Sequence, residues 1–143
     1  MNRSFLFVPA DSEKKLSRAA TCDADALILD LEDAVTPEAR PAARQMAAQF
    51  LSDSSNAWVR INPIGSSDAL RDLDAVLPSA PVGIVLPKPL SATDVATLSV
   101  RLDELEQQHG LTAGSTRIMA LCTETPQALF TLSGYVDATP RLD

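Results

Sequence analysis

Five short apolar runs, each followed by a segment of helical periodicity, constrain this chain more than any other feature. The runs are RSFLFVP (3–9), ALILDLED (26–33), AWVRIN (57–62), VGIVLPK (82–88) and RIMALCTET (117–125). After the first, Asp11 or Ser12 can cap a helix whose apolar face is Leu16, Ala19 and Ala20. After the second, Thr36-Pro37-Glu38 reads as a helix start with proline in the first turn. Ala39, Ala43, Met46, Ala47 and Phe50 then repeat at helical spacing, and a turn follows at 53–56. Ser66-Ser67-Asp68 precedes Leu70, Leu73 and Val76, and Ser91 or Thr93 precedes Val95, Leu98, Leu102 and Leu105, a stretch that His109-Gly110 stops. A last helix is expected near Pro126. Strands that alternate with amphipathic helices predict an α/β fold with a parallel sheet and right-handed crossovers.

Two architectures carry that pattern: an open doubly wound sheet, or a (β/α)8 barrel, which normally takes roughly 250 residues. The chain has 143 residues, so length alone favours the open sheet. The polar positions favour the barrel. Side chains alternate sides along a strand. Alternation puts Ile28, Asp30 and Glu32 on one face, and likewise Trp58, Arg60 and Asn62; Ile84, Leu86 and Lys88; and Ile118, Ala120, Cys122 and Glu124. Four successive strands would thus each end on a polar group on one wall. An open sheet gathers its site at one crevice, whereas a barrel gathers it from the C-terminal ends of many strands. The chain reads as a barrel cut short, which would leave an open sheet edge and an unpartnered apolar layer.

Composition excludes several functions. Net charge is −7, with no basic run and no interleaving of aromatic and basic residues, so neither nucleic acid nor an anionic membrane is an expected partner. The FLFV run is too short for a signal-peptide core or a membrane span. Cys22 and Cys122 are far apart and read as reduced, which fits a cytoplasmic protein. No Ser-His-Asp triad, zinc-ligand spacing, P-loop or GxGxxG turn is present.

The charges at strand ends are the candidate site, because buried strands are costly places for charge. Each has a second reading. Glu124 can cap a helix starting at Pro126. Glu32 and Asp33 can be solvated turn residues. Arg60 can pair structurally with Asp30 or Glu32, and an empty substrate clamp would have the same appearance. Asp30 and Asn62 read as hydrogen-bonded support, and His109 as a residue at a helix C-terminus.

With those residues in view, the chain resembles the citrate lyase β-subunit family (CitE-like, within the HpcH/HpaI aldolase superfamily). The resemblance rests on RSFLFVPA at 3–10, LILDLEDAV at 27–35, VRIN at 59–62, LPK at 86–88 and TET at 123–125, in that order across almost the whole chain. It implies the N-terminal part, about five βα units, of a TIM barrel of the phosphoenolpyruvate/pyruvate type. Residues 1–143 would form a single, incomplete domain, with the sixth strand expected just after Asp143. The implied activity is Mg2+-dependent carbon–carbon lysis, or its reverse, of a 3-hydroxyacyl thioester (citryl-, malyl- or methylmalyl-CoA, or a carrier-protein thioester) to an α-keto acid and an acyl thioester. A thioesterase or pyruvate-type aldolase on the same barrel, and a non-catalytic subunit, are the alternatives.

The resemblance also assigns roles. Glu124 falls on the metal ligand, with a second carboxylate expected beyond Asp143. Glu32 and Asp33 fall on the pair that supports water around the metal. Arg60 falls on the substrate arginine, and Lys88 can add positive charge near the substrate or the acyl carrier. The expected partners are CoA or acyl carrier protein and an α-keto acid, in a homo-oligomer of three or more subunits or in a lyase complex.

Overall fold

The computed structural model describes residues 2–54 and 56–143; of the turn at 53–56, Ser55 lies outside them. Five strands form one parallel sheet: β1 (Phe5–Pro9), β2 (Ala26–Asp30), β3 (Ala57–Arg60), β4 (Gly83–Leu86) and β5 (Arg117–Ala120). Their spatial order is their order in sequence, β1-β2-β3-β4-β5. Right-handed crossovers that always step the same way leave every helix on one face of the sheet. There is no reversal of strand order, hence no switch-point crevice of the doubly wound kind. This is the winding of a barrel wall, and the length argument for an open doubly wound sheet does not hold.

Among the described residues four α-helices cover the outer face: α1 (Glu13–Ala19), α2 (Arg40–Asp53), α3 (Ser67–Val76) and α4 (Ala92–His109). Local chemistry sets their ends. Ser12, Ser66 and Ser91 each accept a backbone N–H of the first turn, and Gly110, at φ 67, takes the left-handed conformation that closes α4. The second helix starts later than the sequence predicts. Thr36 O accepts the amides of Ala39 and Arg40, so Thr36–Ala39 is a turn and the helix proper begins at Arg40. The segment after Pro126 forms a 3-10 helix, Gln127–Tyr135, rather than an α-helix. There Thr131 Oγ1 donates to the carbonyls of Ala128 and Leu90, and Ser133-Gly134 follow, both poor α-helix formers. Among the described residues no helix is long and apolar enough to cross a membrane.

The two faces of the sheet bury different clusters. Leu27, Leu29, Val59, Ile61, Ile84, Leu86 and Ile118 pack against the helices. Ala26, Ile28, Trp58 and Val85, with Met119 and Leu121 beside them, form a smaller cluster on the concave face. Alternation therefore holds for β2 and β3 as expected. It holds for β4 and β5 too, but there the face expected to line the site is the one that meets the helices. Ile84, Leu86 and Ile118 face the helices with Ala120 and Cys122 against them, while Val85 and Met119 share the face of Trp58. Lys88 and Glu124 lie past the last ladder residues, Leu86 and Ala120, so strand parity does not place them.

At the far edge, residues 141–143 run alongside β5. Ile118 N donates to Arg141 O at 2.8 Å, Asp143 N donates to Ile118 O at 2.9 Å, and Leu142 bridges Ile118 in parallel. These contacts make one isolated parallel bridge at the edge of the sheet. A buried charge cluster anchors it. Arg141 Nη1 donates to Glu106 Oε1 at 2.8 Å and to Thr116 O at 2.9 Å, and Arg141 Nη2 donates to Glu106 Oε2 at 2.6 Å. Burial alone would raise the Glu106 carboxyl, but Arg141 and the amides of Thr116 and Gly114 bring it down to about 2 from an ordinary 4.5. A carboxyl depressed in the folded state stabilises the fold above its unfolded pKa, and that stabilisation is lost as the pH falls through the folded pKa. Melts taken from pH 5 down to pH 2 are expected to lose on the order of 3 kcal/mol from this group. Glu106→Gln should be less stable at pH 7 and show a shallower loss on acidification.

Candidate active site

The site begins where β2 meets β3. In register, Asp30 lies opposite Arg60. Both face the concave side, so their side chains meet. Arg60 Nε donates to Asp30 Oδ1 at 2.8 Å and Nη2 to Oδ2 at 2.6 Å, a fork-on-fork pair. Asp30 is 1% exposed, and it also accepts the backbone amides of Glu32 at 2.9 Å and Ala34 at 3.1 Å. One carboxylate thus shapes the LEDA turn and aims the guanidinium. The Arg60 guanidinium carbon also sits 4.8 Å from the centroid of the Phe7 ring on β1. The hydrogen bond to Asp30 holds the arginine's pKa above its usual value.

Glu32 follows in the same turn and is 3% exposed. Its Oε1 accepts from Lys88 Nζ, while its Oε2 lies 3.4 Å from Arg60 Nη1 and has no hydrogen-bond partner. Asp33 is exposed and takes Lys88 Nζ at 2.9 and 3.1 Å. The Lys88 hydrogen bond holds the Asp33 carboxyl below the usual range, and Glu32 and Asp33 together raise the Lys88 ammonium. Glu124 arrives on the loop after β5, where its Oε2 accepts the backbone N–H of Lys88 at 2.9 Å. The structure thus brings Glu32, Asp33, Arg60, Lys88 and Glu124 to one end of the sheet. The helix-capping role open to Glu124 falls instead to Thr125, whose Oγ1 accepts the Ala128 amide at 3.3 Å. Arg60 takes both partners offered by the sequence, Asp30 by hydrogen bonds and Glu32 by proximity.

Behind these residues lies a relay that sequence reasoning missed. Arg44 on α2 donates to Asp72 Oδ1 at 2.7 Å. Asp72 Oδ2 accepts both the backbone and the side-chain N–H of Asn62 at 2.8 Å. Asn62 Nδ2 donates onward to Leu31 O at 3.0 Å, between Asp30 and Glu32. Asp72 is 0% exposed. Its signal was available: it shares the buried face of α3 with Ala69, Leu73 and Val76, where a charge requires a buried partner.

The arrangement can hold anions and a cation together. Four carboxylates (Asp30, Glu32, Asp33, Glu124) face two cations, Arg60 and Lys88, which leaves an excess of negative charge. Among the described residues no three carboxylate, thiol or imidazole groups form a ready-made cage. The buried Glu32 Oε2, which accepts no hydrogen bond, and the excess negative charge nonetheless suit a divalent ion that keeps much of its water.

Comparison with known proteins places this geometry. The HpcH/HpaI aldolase/citrate lyase family profile matches residues 3–143. Citrate lyase subunit beta of Haemophilus influenzae is 32% identical over 146 residues, covering 99% of this chain and 50% of that protein. The crystal structure of RipC from Yersinia pestis superposes with a TM-score of 0.73 at 31% identity, covering 99% of this chain and 55% of that one. CitE from Mycobacterium tuberculosis, crystallised with magnesium, acetoacetate and coenzyme A, superposes with a TM-score of 0.72 at 32% identity, covering 98% of this chain and 47% of that one. The chain spans about half the length of the relatives it matches. Its five βα units are those of this family's barrel, and the chain belongs to the HpcH/HpaI aldolase/citrate lyase family.

Proposed function

We propose that the protein carrying this chain is a Mg2+-dependent carbon–carbon lyase acting on a 3-hydroxyacyl thioester of CoA or of an acyl carrier protein. The observation that carries this reading is the Asp30-clamped Arg60, set beside Glu32, Lys88 and Glu124 at one end of the sheet of a family member. In the cleavage direction the 3-hydroxyl loses its proton and its oxygen becomes the keto group of an α-keto acid. The C2–C3 bond breaks, its electron pair passes to the thioester as an enolate, and C2 then takes up a proton.

Arg60 binds the carboxylate that ends up in the keto acid. Asp30 occupies the Nε–Nη2 edge of the guanidinium, so the substrate carboxylate meets its Nη1–Nη2 end, where Nη1 lies 3.4 Å from Glu32 Oε2. Glu124 is the metal ligand, and a second carboxylate comes from beyond residue 143. Glu32 and Asp33 hold water at the site through hydrogen bonds. Lys88 adds positive charge on the side where the carboxylates gather. Bound Mg2+ supplies positive charge to the oxygens of the reacting keto acid. The remaining barrel strands follow Asp143 in the chain, and subunits associate as a trimer or larger.

The test is keto-acid release from malyl-CoA and citryl-CoA by the full-length protein with and without Mg2+. Glu124→Gln is expected to lower the rate by roughly a hundredfold or more, because it removes a charged ligand and not merely a group supporting one. Undiminished Mg2+-dependent cleavage by that variant would show the ligand assignment to be wrong. Free CoA released without keto acid would mark a thioesterase instead, and no turnover of any thioester would mark a non-catalytic subunit.

A further inference from the structure

Lys88 holds a backbone conformation that its sequence does not favour. Its φ is 51, in the left-handed region, and it stands between Pro87 and Pro89. A bulky L-residue there is strained, and a following proline normally pushes its predecessor towards extended backbone. Such strain persists only where the surroundings hold it. Two contacts do so at Lys88. The main-chain N–H donates to Glu124 Oε2 at 2.9 Å, and the ammonium reaches Glu32 and both oxygens of Asp33. One residue therefore touches the carboxylate assigned to the metal with its backbone and the supporting pair with its side chain.

Charge gives the arrangement a second consequence. Arg60 gives its hydrogen bonds to Asp30 and lies 3.4 Å from Glu32 Oε2, so Lys88 is the cation that hydrogen-bonds Glu32 and Asp33 and sits against Glu124. Without it, Glu32 and Asp33, adjacent in one turn, would repel each other at a site where one of them is buried.

We propose that Lys88 is a positioning residue, a built-in counter-cation that holds the Glu32–Asp33 pair together in the metal-free protein and competes electrostatically with the incoming divalent ion. This inference rests on the reading of Glu124 as a metal ligand. Removing the ammonium should therefore strengthen metal binding, whereas loss of a merely structural contact would weaken it or leave it unchanged.

The experiment is calorimetric titration of Mg2+ into the full-length protein without substrate, with Lys88→Met, Lys88→Gln, Lys88→Arg and Glu124→Gln as variants. Lys88→Met and Lys88→Gln are expected to bind Mg2+ about three- to tenfold more tightly, a modest gain because the lysine is partly exposed and screened. Lys88→Arg should stay close to wild type. Metal-free Lys88→Met should melt earlier than wild type, and saturating Mg2+ should recover most of the difference. Lys88→Gln, which keeps a hydrogen-bond donor, provides the affinity readout should the methionine variant fold poorly. Wild-type or weaker affinity in Lys88→Gln overturns the proposal. If Glu124→Gln binds Mg2+ as wild type does, it is the ligand assignment that fails; if Glu124→Gln loses binding while Lys88→Gln gains nothing, the counter-cation role alone fails.

Discussion

Asp30→Ala is expected to destabilise the fold by about 3–5 kcal/mol, as breaking one side of a buried ion pair does. The expectation follows from what Asp30 serves. Four donors converge on it: two from Arg60 and the amides of Glu32 and Ala34. Alanine leaves a guanidinium that is only 12% exposed without its hydrogen-bonded counter-ion, with only Glu32 at 3.4 Å beside it, and it leaves two amides of the LEDA turn unpaired. Chemical unfolding of the variant beside wild type measures the cost. A further comparison separates the causes. Asp30→Ala with Arg60→Met removes both charges, so it should be distinctly less damaging than the sum of the single changes. Activity should still be lost in the double variant, because the substrate clamp has gone. A cost below about 1 kcal/mol for Asp30→Ala would mean that the pair is as weak as a surface salt bridge and does not organise the turn.

Gly83→Ala is the second large effect, expected at about 2–3 kcal/mol or more from overpacking. In the sheet, Gly83 pairs with Trp58 on one side and Arg117 on the other. A Cβ at Gly83 would stand 2.4 Å from Trp58 Cζ3 and 2.6 Å from both Trp58 Cε3 and the Arg117 carbonyl oxygen. Neither neighbour can yield easily. Trp58 is 1% exposed, packs with Ile28 and Val85, and meets the Phe5 ring edge-on at 6.3 Å. The Arg117 oxygen belongs to the backbone of the adjacent strand. The missing side chain is what lets an indole fit on the concave face. Thermal melts of Gly83→Ala and of Gly83→Ala with Trp58→Leu check this. The second change should recover part of the loss and not all of it, since the clash with the Arg117 carbonyl remains. Wild-type stability in Gly83→Ala would show that the sheet is far more pliable here than its packing indicates.

Much of the fold could be read from local chemistry. The five strands lie within the five apolar runs, and Ser12, Ser66, Ser91 and Gly110 end helices as their side chains or backbone freedom require. Errors arose where contacts compete with local preference. Thr36-Pro37-Glu38 has the composition of a helix start, yet Thr36 closes a turn and the helix begins at Arg40. The 3-10 form of Gln127–Tyr135 was not anticipated. In the sequence the candidate site is a set of charges at strand ends. That set is assembled at one end of the sheet, but for two of its members by a different route from the one expected. Asp30 and Arg60 follow strand alternation. Lys88 and Glu124 do not, because Pro87 and the loop after Ala120 take them off the ladder, where a period of two no longer holds.

The alternation of strands and helices, the direction of the crossovers and the residue types gathered at the strand ends are legible in the amino-acid order alone. These depend on periodicity, capping and chirality, which act over a few residues. Which charges pair is settled by folding. Asp30 meets Arg60 through register, Lys88 joins Glu32, Asp33 and Glu124 through a left-handed backbone, and Asp72 links Asn62, just past β3, to Arg44 on the neighbouring helix. Those pairings are set by the balance between the cost of burying a charge and the partners within reach, and partners many residues apart in the chain come within reach only once it has folded.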